Sequence, residues 1–168
     1  MSVRPRLWCV TIGLLLLALP PALALAASAE PVFGVATGEI DEPGSLTPLG
    51  NGRFAIQDRV YAGRSIGRSI VDEWAACFSG PLSTTEDWLL EAPRMAGVHQ
   101  SVVSIRSERA VLTLRLRGQM EFPSASGTWE IQHATGACAS LVGEGRYTAS
   151  FSANSPGYRL TFEGQVRS

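Results

Sequence analysis

An aspartate and a histidine stand where strand geometry would turn them toward an apolar interior. Asp58 falls on the even positions of Phe54, Ile56 and Val60, and His133 on the odd positions of Trp129 and Ile131. Alternate side chains of a strand point to opposite faces, so each shares the face of its apolar neighbours. A buried carboxylate beside an imidazole is a usable acid–base pair, and inward-facing ionisable groups are where a pocket is sought. Each has a plainer reading as well. A β-bulge in the polar triplet Gln57-Asp58-Arg59 would turn Asp58 outward, and His133 at the end of its strand would simply meet solvent. Glu86 shares the parity of Trp88 and Leu90 and is a third candidate, while His99, which follows Gly97-Val98 at a strand start, reads as a solvated edge residue. Trp129 and Tyr147 are the aromatic side chains that a ligand in such an interior would meet. Their plainer reading is core.

The familiar catalytic motifs are absent. The sequence holds no G-x-S-x-G elbow, no H-E-x-x-H helix and no phosphate-binding glycine loop. Gly143-x-Gly145 is not a dinucleotide fingerprint, because no helical pattern follows it. With two histidines and no C-x-x-C spacing, a zinc site is not supported, and neither a metal nor a cofactor is expected.

The elements that must carry these residues are strands. Over residues 111–122, Leu112, Leu114, Leu116, Met120 and Phe122 alternate with Thr113, Arg115, Arg117, Gln119 and Glu121. That period of two requires one buried and one watered face, which a helix cannot supply. The C-terminal run repeats it, with Tyr158, Leu160, Phe162 and Val166 against Arg159, Thr161, Glu163, Gln165 and Arg167. Residues 145–152 and 128–133 follow the same rule, and further strands are expected at 32–40, 52–62, 69–79 and 98–107. Pro43-Gly44, Gly50-Asn51-Gly52, Gly80-Pro81, Pro93, Pro123 and Pro156-Gly157 punctuate the series. Short strands so spaced mean an all-β sandwich or barrel. Ser83-Thr84-Thr85-Glu86 is a capping-box pattern that could start a short helix, but Pro93 leaves it little room, and a strand is preferred. Residues 41–52 and 92–97 read as loops.

Compartment follows from the N-terminus and the cysteines. Arg4 and Arg6 precede an apolar run over residues 7–19, Pro20-Pro21 and a small-residue stretch, the order of a cleavable secretory signal over residues 1–29. Cleavage fits after Ala29 or after Ala26; an uncleaved anchor is the alternative, since the run is long enough to span a bilayer. Residues 30–168 then form one domain. Secreted or periplasmic location is expected, with no stable membrane insertion once the signal is gone. Loss of Arg4 and Arg6 from 14 basic side chains against 15 acidic ones gives a mildly negative domain, and the clustered basic face that nucleic acid requires is missing. Cys9 leaves with the signal, and the remaining even pair in an exported chain suggests a disulfide between Cys77 and Cys138.

Gly127-x-Trp129-x-Ile131, then Thr135-Gly136, then Leu141-x-Gly143-x-Gly145 with Tyr147, resembles bacterial domains with the allene-oxide-cyclase-like barrel, related in fold to plant dirigent proteins. Looser similarity extends upstream, so that roughly residues 83–152 carry it. The resemblance implies a small closed antiparallel barrel of about eight strands and a strand at 84–91. His133 and Ala134 stand where two glycines are usual in the family, and Cys138 where a bulky residue is common. No catalytic residue of the plant relatives aligns to this chain. The expected role is therefore a non-enzymatic exported barrel that binds a small apolar ligand or docks with an envelope component. The competing class is a cyclase or isomerase acting on an apolar substrate inside the barrel.

Overall fold

The computed structural model describes residues 28–152 and 156–168. The strands are β1 (Glu30–Glu42), β2 (Ser45–Gly50), β3 (Arg53–Ser69), β4 (Gly80–Glu91), β5 (Ala96–Arg106), β6 (Val111–Glu121), β7 (Ser124–Ala134), β8 (Val142–Phe151) and β9 (Gly157–Arg167). Each pairs antiparallel with its neighbour in the order β1-β9-β8-β7-β6-β5-β4-β3, and β1 returns to pair with β3, which closes the barrel. Closure leaves no edge along most of the sheet, and that is the physical reason for a barrel. The alternation seen in the sequence sets the faces. Leu112, Leu114, Leu116 and Met120 of β6 are buried and Arg117, Gln119 and Glu121 are not.

The nine strands make eight staves. β1 and β2 share one edge of β3, β1 against Val60–Ser69 and β2 against Arg53–Gln57, with Pro43-Gly44 between them. The expected loop at 41–52 thus contains β2. Gly50, Asn51 and Gly52 all adopt positive φ, a turn tight enough to fold β2 onto β3.

One end of the barrel is plugged. The strand expected over residues 69–79 is instead the end of β3 followed by α1 (Asp72–Cys77). Asp72 and Glu73 in the first turn suit the positive helix N-terminus, and no alternation persists there to hold a strand. The helix delivers Phe78 into the core, where its ring centroid lies 5.7 Å from Phe162 and 6.1 Å from Trp129. Ser65 Oγ donates to Phe78 O at 2.8 Å. Cys77 is bonded to Cys138, which ends the 3-10 turn Gly136–Cys138 after β7. The expected pairing is thus present, and it ties two connections at the same barrel end. The signal read over residues 1–29 lies, up to Ala27, outside the described residues. Among the described residues no helix is long and apolar enough to cross a membrane.

The disulfide spans a sequence separation of 61 residues. Its removal in a Cys77→Ala, Cys138→Ala double variant is expected to lower the unfolding free energy by about 4 kcal/mol in the chain-entropy account. Denaturant unfolding with and without reductant measures this; coincident curves would contradict it.

Candidate functional site

The inner face of β4 carries Leu82, Thr84, Glu86, Trp88 and Leu90, all buried, and that of β5 carries His99, Ser101, Val103 and Ile105, also buried. Antiparallel register sets Glu86 opposite Ser101 and Trp88 opposite His99. A carboxylate, an imidazole and a hydroxyl therefore meet inside the barrel, toward the end away from the disulfide. Glu86 is 2% and His99 1% exposed, so neither can rely on water for solvation.

Their partners are specific. Trp88 Nε1 donates to Glu86 Oε2 at 3.0 Å. His99 Nδ1 lies 2.7 Å from the Tyr147 hydroxyl. That contact crosses two strands. In register, Tyr147 on β8 faces Gly127 on β7, Gly127 faces Gly118 on β6, and Gly118 faces His99. Two glycines in succession leave a trough across which the phenol lies; a Cβ on Gly118 would stand 2.6 Å from its oxygen. Burial, with the negative Glu86 adding to it, pushes the Tyr147 hydroxyl above its ordinary pKa of 10, so the phenol keeps its proton. Nε2 faces the Glu86 carboxylate, which suits the ring proton there, and Nδ1 then accepts from the phenol. Nε2 lies 3.4 Å from Glu86 Oε1 without forming a hydrogen bond, and Ser101 Oγ also has none. Two buried groups on β5 are thus left unmatched, His99 Nε2 near the carboxylate and Ser101 Oγ on the residue opposite Glu86 in the ladder, although buried polar groups are ordinarily paired.

The rest of the lining is aromatic, with one cation. Gln57 and Asp58 together oppose the single residue Asp87, a bulge that reverses the parity of β3. Arg59 and Tyr61 consequently face inward. The Arg59 guanidinium stands 4.6 Å from the centroid of the Trp88 ring, and its Nε donates to Pro43 O at 3.1 Å. Tyr61 is pushed up to about 12, first by burial and then by the Glu86 charge, against the lowering hydrogen bond and charge of Arg59. Thr84 Oγ1 and the Tyr158 hydroxyl are 2.7 Å apart. The Phe151 ring roofs the group, its centroid 5.0 Å from Trp88, 6.1 Å from His99 and 6.2 Å from Tyr61.

Asp58 and His133 both lie outside the barrel, so the inward parity read for them in the sequence does not hold. Asp58 sits in the bulge with φ 55°. His133 is displaced by a second bulge, where residues 131 and 133 of β7 pair with the adjacent Leu114 and Thr113. Each was turned by one extra residue. Of the aromatic candidates, Tyr147 belongs to the polar group, whereas Trp129 fills the plugged end and donates from Nε1 to Glu163 O at 2.9 Å. Glu86 stands at the centre. His99, expected at a solvated edge, is among the most buried residues, and its odd parity with Val103 and Ile105 was the signal that places it. A surface depression runs over Gln119, Ser124, Thr148 and Arg159 on the outer face, away from this group. Among the described residues no three His, Cys, Asp or Glu side chains gather as a metal site.

Two predictions follow from the buried hydroxyls. Ser101→Ala removes an unpartnered donor and is expected to raise the unfolding free energy by about 1 kcal/mol, while Tyr147→Phe, which orphans His99 Nδ1, lowers it by about 1–2 kcal/mol. Denaturant midpoints decide; a Ser101→Ala loss as large as that of Tyr147→Phe would show a partner for Ser101. The second concerns alkali. All three tyrosines are inside, each with its pKa raised from 10. A raised folded pKa gives stability that is complete below the unfolded value of 10 and is lost as pH climbs, for Tyr61 through about 12. Phenolate absorbance should therefore appear only together with unfolding; a phenolate titrating near pH 10 in the folded protein would contradict this.

Compared with known proteins, the chain matches no family model and no curated sequence.

Proposed function

We propose that this is an exported binding barrel that takes a small, largely apolar molecule bearing one polar group against the polar half of its interior. The observation that carries the proposal is the unmatched hydrogen-bonding capacity of His99 Nε2 and Ser101 Oγ on the strand paired with that of Glu86, inside a wall of Trp88, Phe151, Tyr61 and Tyr158. A polar network kept only for rigidity does best when fully satisfied. Binding sites combine apolar walls with a few convergent polar groups, and this half of the barrel has that composition. The plugged end, with its disulfide, supplies the rigid support.

Export is part of the proposal. The N-terminal apolar leader and a disulfide, which persists in oxidising compartments, support it. The resemblance to allene-oxide-cyclase-like barrels also belongs here, supported by the eight-stave closure and by the glycines that accommodate Trp129 and Tyr147.

Native mass spectrometry of the protein recovered from its own envelope is the test. A retained molecule in the wild type, lost in a folded Glu86→Ala variant, is the expected result. Bare protein mass in repeated preparations would argue for a purely structural interior.

A further inference from the structure

We infer that the Glu86–His99–Ser101 group transfers protons on an enolisable carbonyl compound, catalysing a shift of hydrogen between carbons of one apolar molecule. The inference rests on the binding reading above and names the chemistry of the same site. Glu86 is held by one oxygen only. Oε2 accepts from Trp88 Nε1, and Oε1, with His99 Nε2 at 3.4 Å, is the base. Two unmatched donors stand on the paired strand: His99 Nε2–H, 3.4 Å from Oε1, and Ser101 Oγ–H, on the residue opposite Glu86 in the ladder. A base with two unmatched donors on the neighbouring strand is the arrangement that removal of a proton next to a carbonyl requires, because the charge that leaves carbon accumulates on oxygen.

The step balances without a co-reactant. Glu86 Oε1 takes the proton from the carbon adjacent to the carbonyl. The C–H electron pair becomes a C=C bond, and the carbonyl π pair moves onto oxygen, where His99 Nε2–H and Ser101 Oγ–H stabilise it. Glu86 then returns the proton to a carbon of the enolate, the same one or its vinylogue, and the carbonyl re-forms. Nothing is oxidised or reduced. Tyr147 acts as a positioning residue: by donating to Nδ1 it keeps the imidazole proton on Nε2. The aromatic surroundings exclude water, which strengthens both the base and the donors.

The experiment incubates the full mature protein with cyclohex-3-en-1-one in deuterated buffer and follows deuterium incorporation and conversion to cyclohex-2-en-1-one by proton NMR. Binding is read separately from tryptophan fluorescence, since Trp88 borders the site. The inference expects exchange that saturates with probe, falls about 100-fold or more in Glu86→Gln, and falls about 100-fold in Ser101→Ala. His133→Ala, outside the barrel, should match the wild type. If Glu86→Gln does not fold, Glu86→Asp keeps the charge and draws the base back by one methylene, and should exchange at least about 10-fold more slowly. Probe that binds without exchanging, or exchange undiminished in the Glu86 variants, overturns the proton-transfer inference and leaves the binding reading standing. Probe that neither binds nor exchanges overturns both.

Discussion

The hydrogen bond from Tyr147 to His99 Nδ1 is the contact on which the candidate site depends, and it exists because the barrel leaves two inner-face positions without side chains. Tyr147 and His99 belong to strands separated by β6 and β7, and only the trough at Gly118 and Gly127 brings the phenol across. The consequence passes down the chain of contacts. The phenol fixes the imidazole proton on Nε2, the proton faces Glu86 Oε1, and Trp88 holds the other carboxylate oxygen. The same device recurs at the plugged end, where Trp129 lies over Gly145 and Gly164. Small barrels are filled by pairing large side chains with small ones across neighbouring strands, and here that packing rule also sets the chemistry.

The barrel divides its labour along its axis. At one end α1, Phe78, Phe162, Trp129 and the Cys77–Cys138 bridge form an apolar, covalently tied base. Toward the other end lie the buried polar groups, under Phe151 and beside the half-buried Arg59. Buried charge and unmatched donors are destabilising, and a barrel that carries them needs stability elsewhere. The disulfide and the aromatic base provide it.

Most of the architecture was legible in the sequence, because alternation over β6 and β9 has no other explanation than half-buried strands. The even pair of cysteines gave the bridge, and the parity of Glu86 with Trp88 and Leu90 gave the central carboxylate. What alternation could not reveal was where it slips. One extra residue at Gln57-Asp58 reverses β3, turning Asp58 out and Arg59 and Tyr61 in, and one extra residue near Gln132 does the same to His133. A bulge is set by pairing with a partner strand, so a single strand's sequence does not fix it. His99 was missed for a different reason: nearness to a glycine suggested an edge, while its parity with Val103 and Ile105 pointed inward.

Long-range proton–nitrogen NMR of the two histidine side chains tests the central claim most directly, with exposed His133 as the internal reference. The account predicts that the His99 ring carries its proton at Nε2, with Nδ1 accepting a hydrogen bond and the N–H slow to exchange with solvent. An Nδ1–H tautomer, or an N–H exchanging as fast as that of His133, would contradict it.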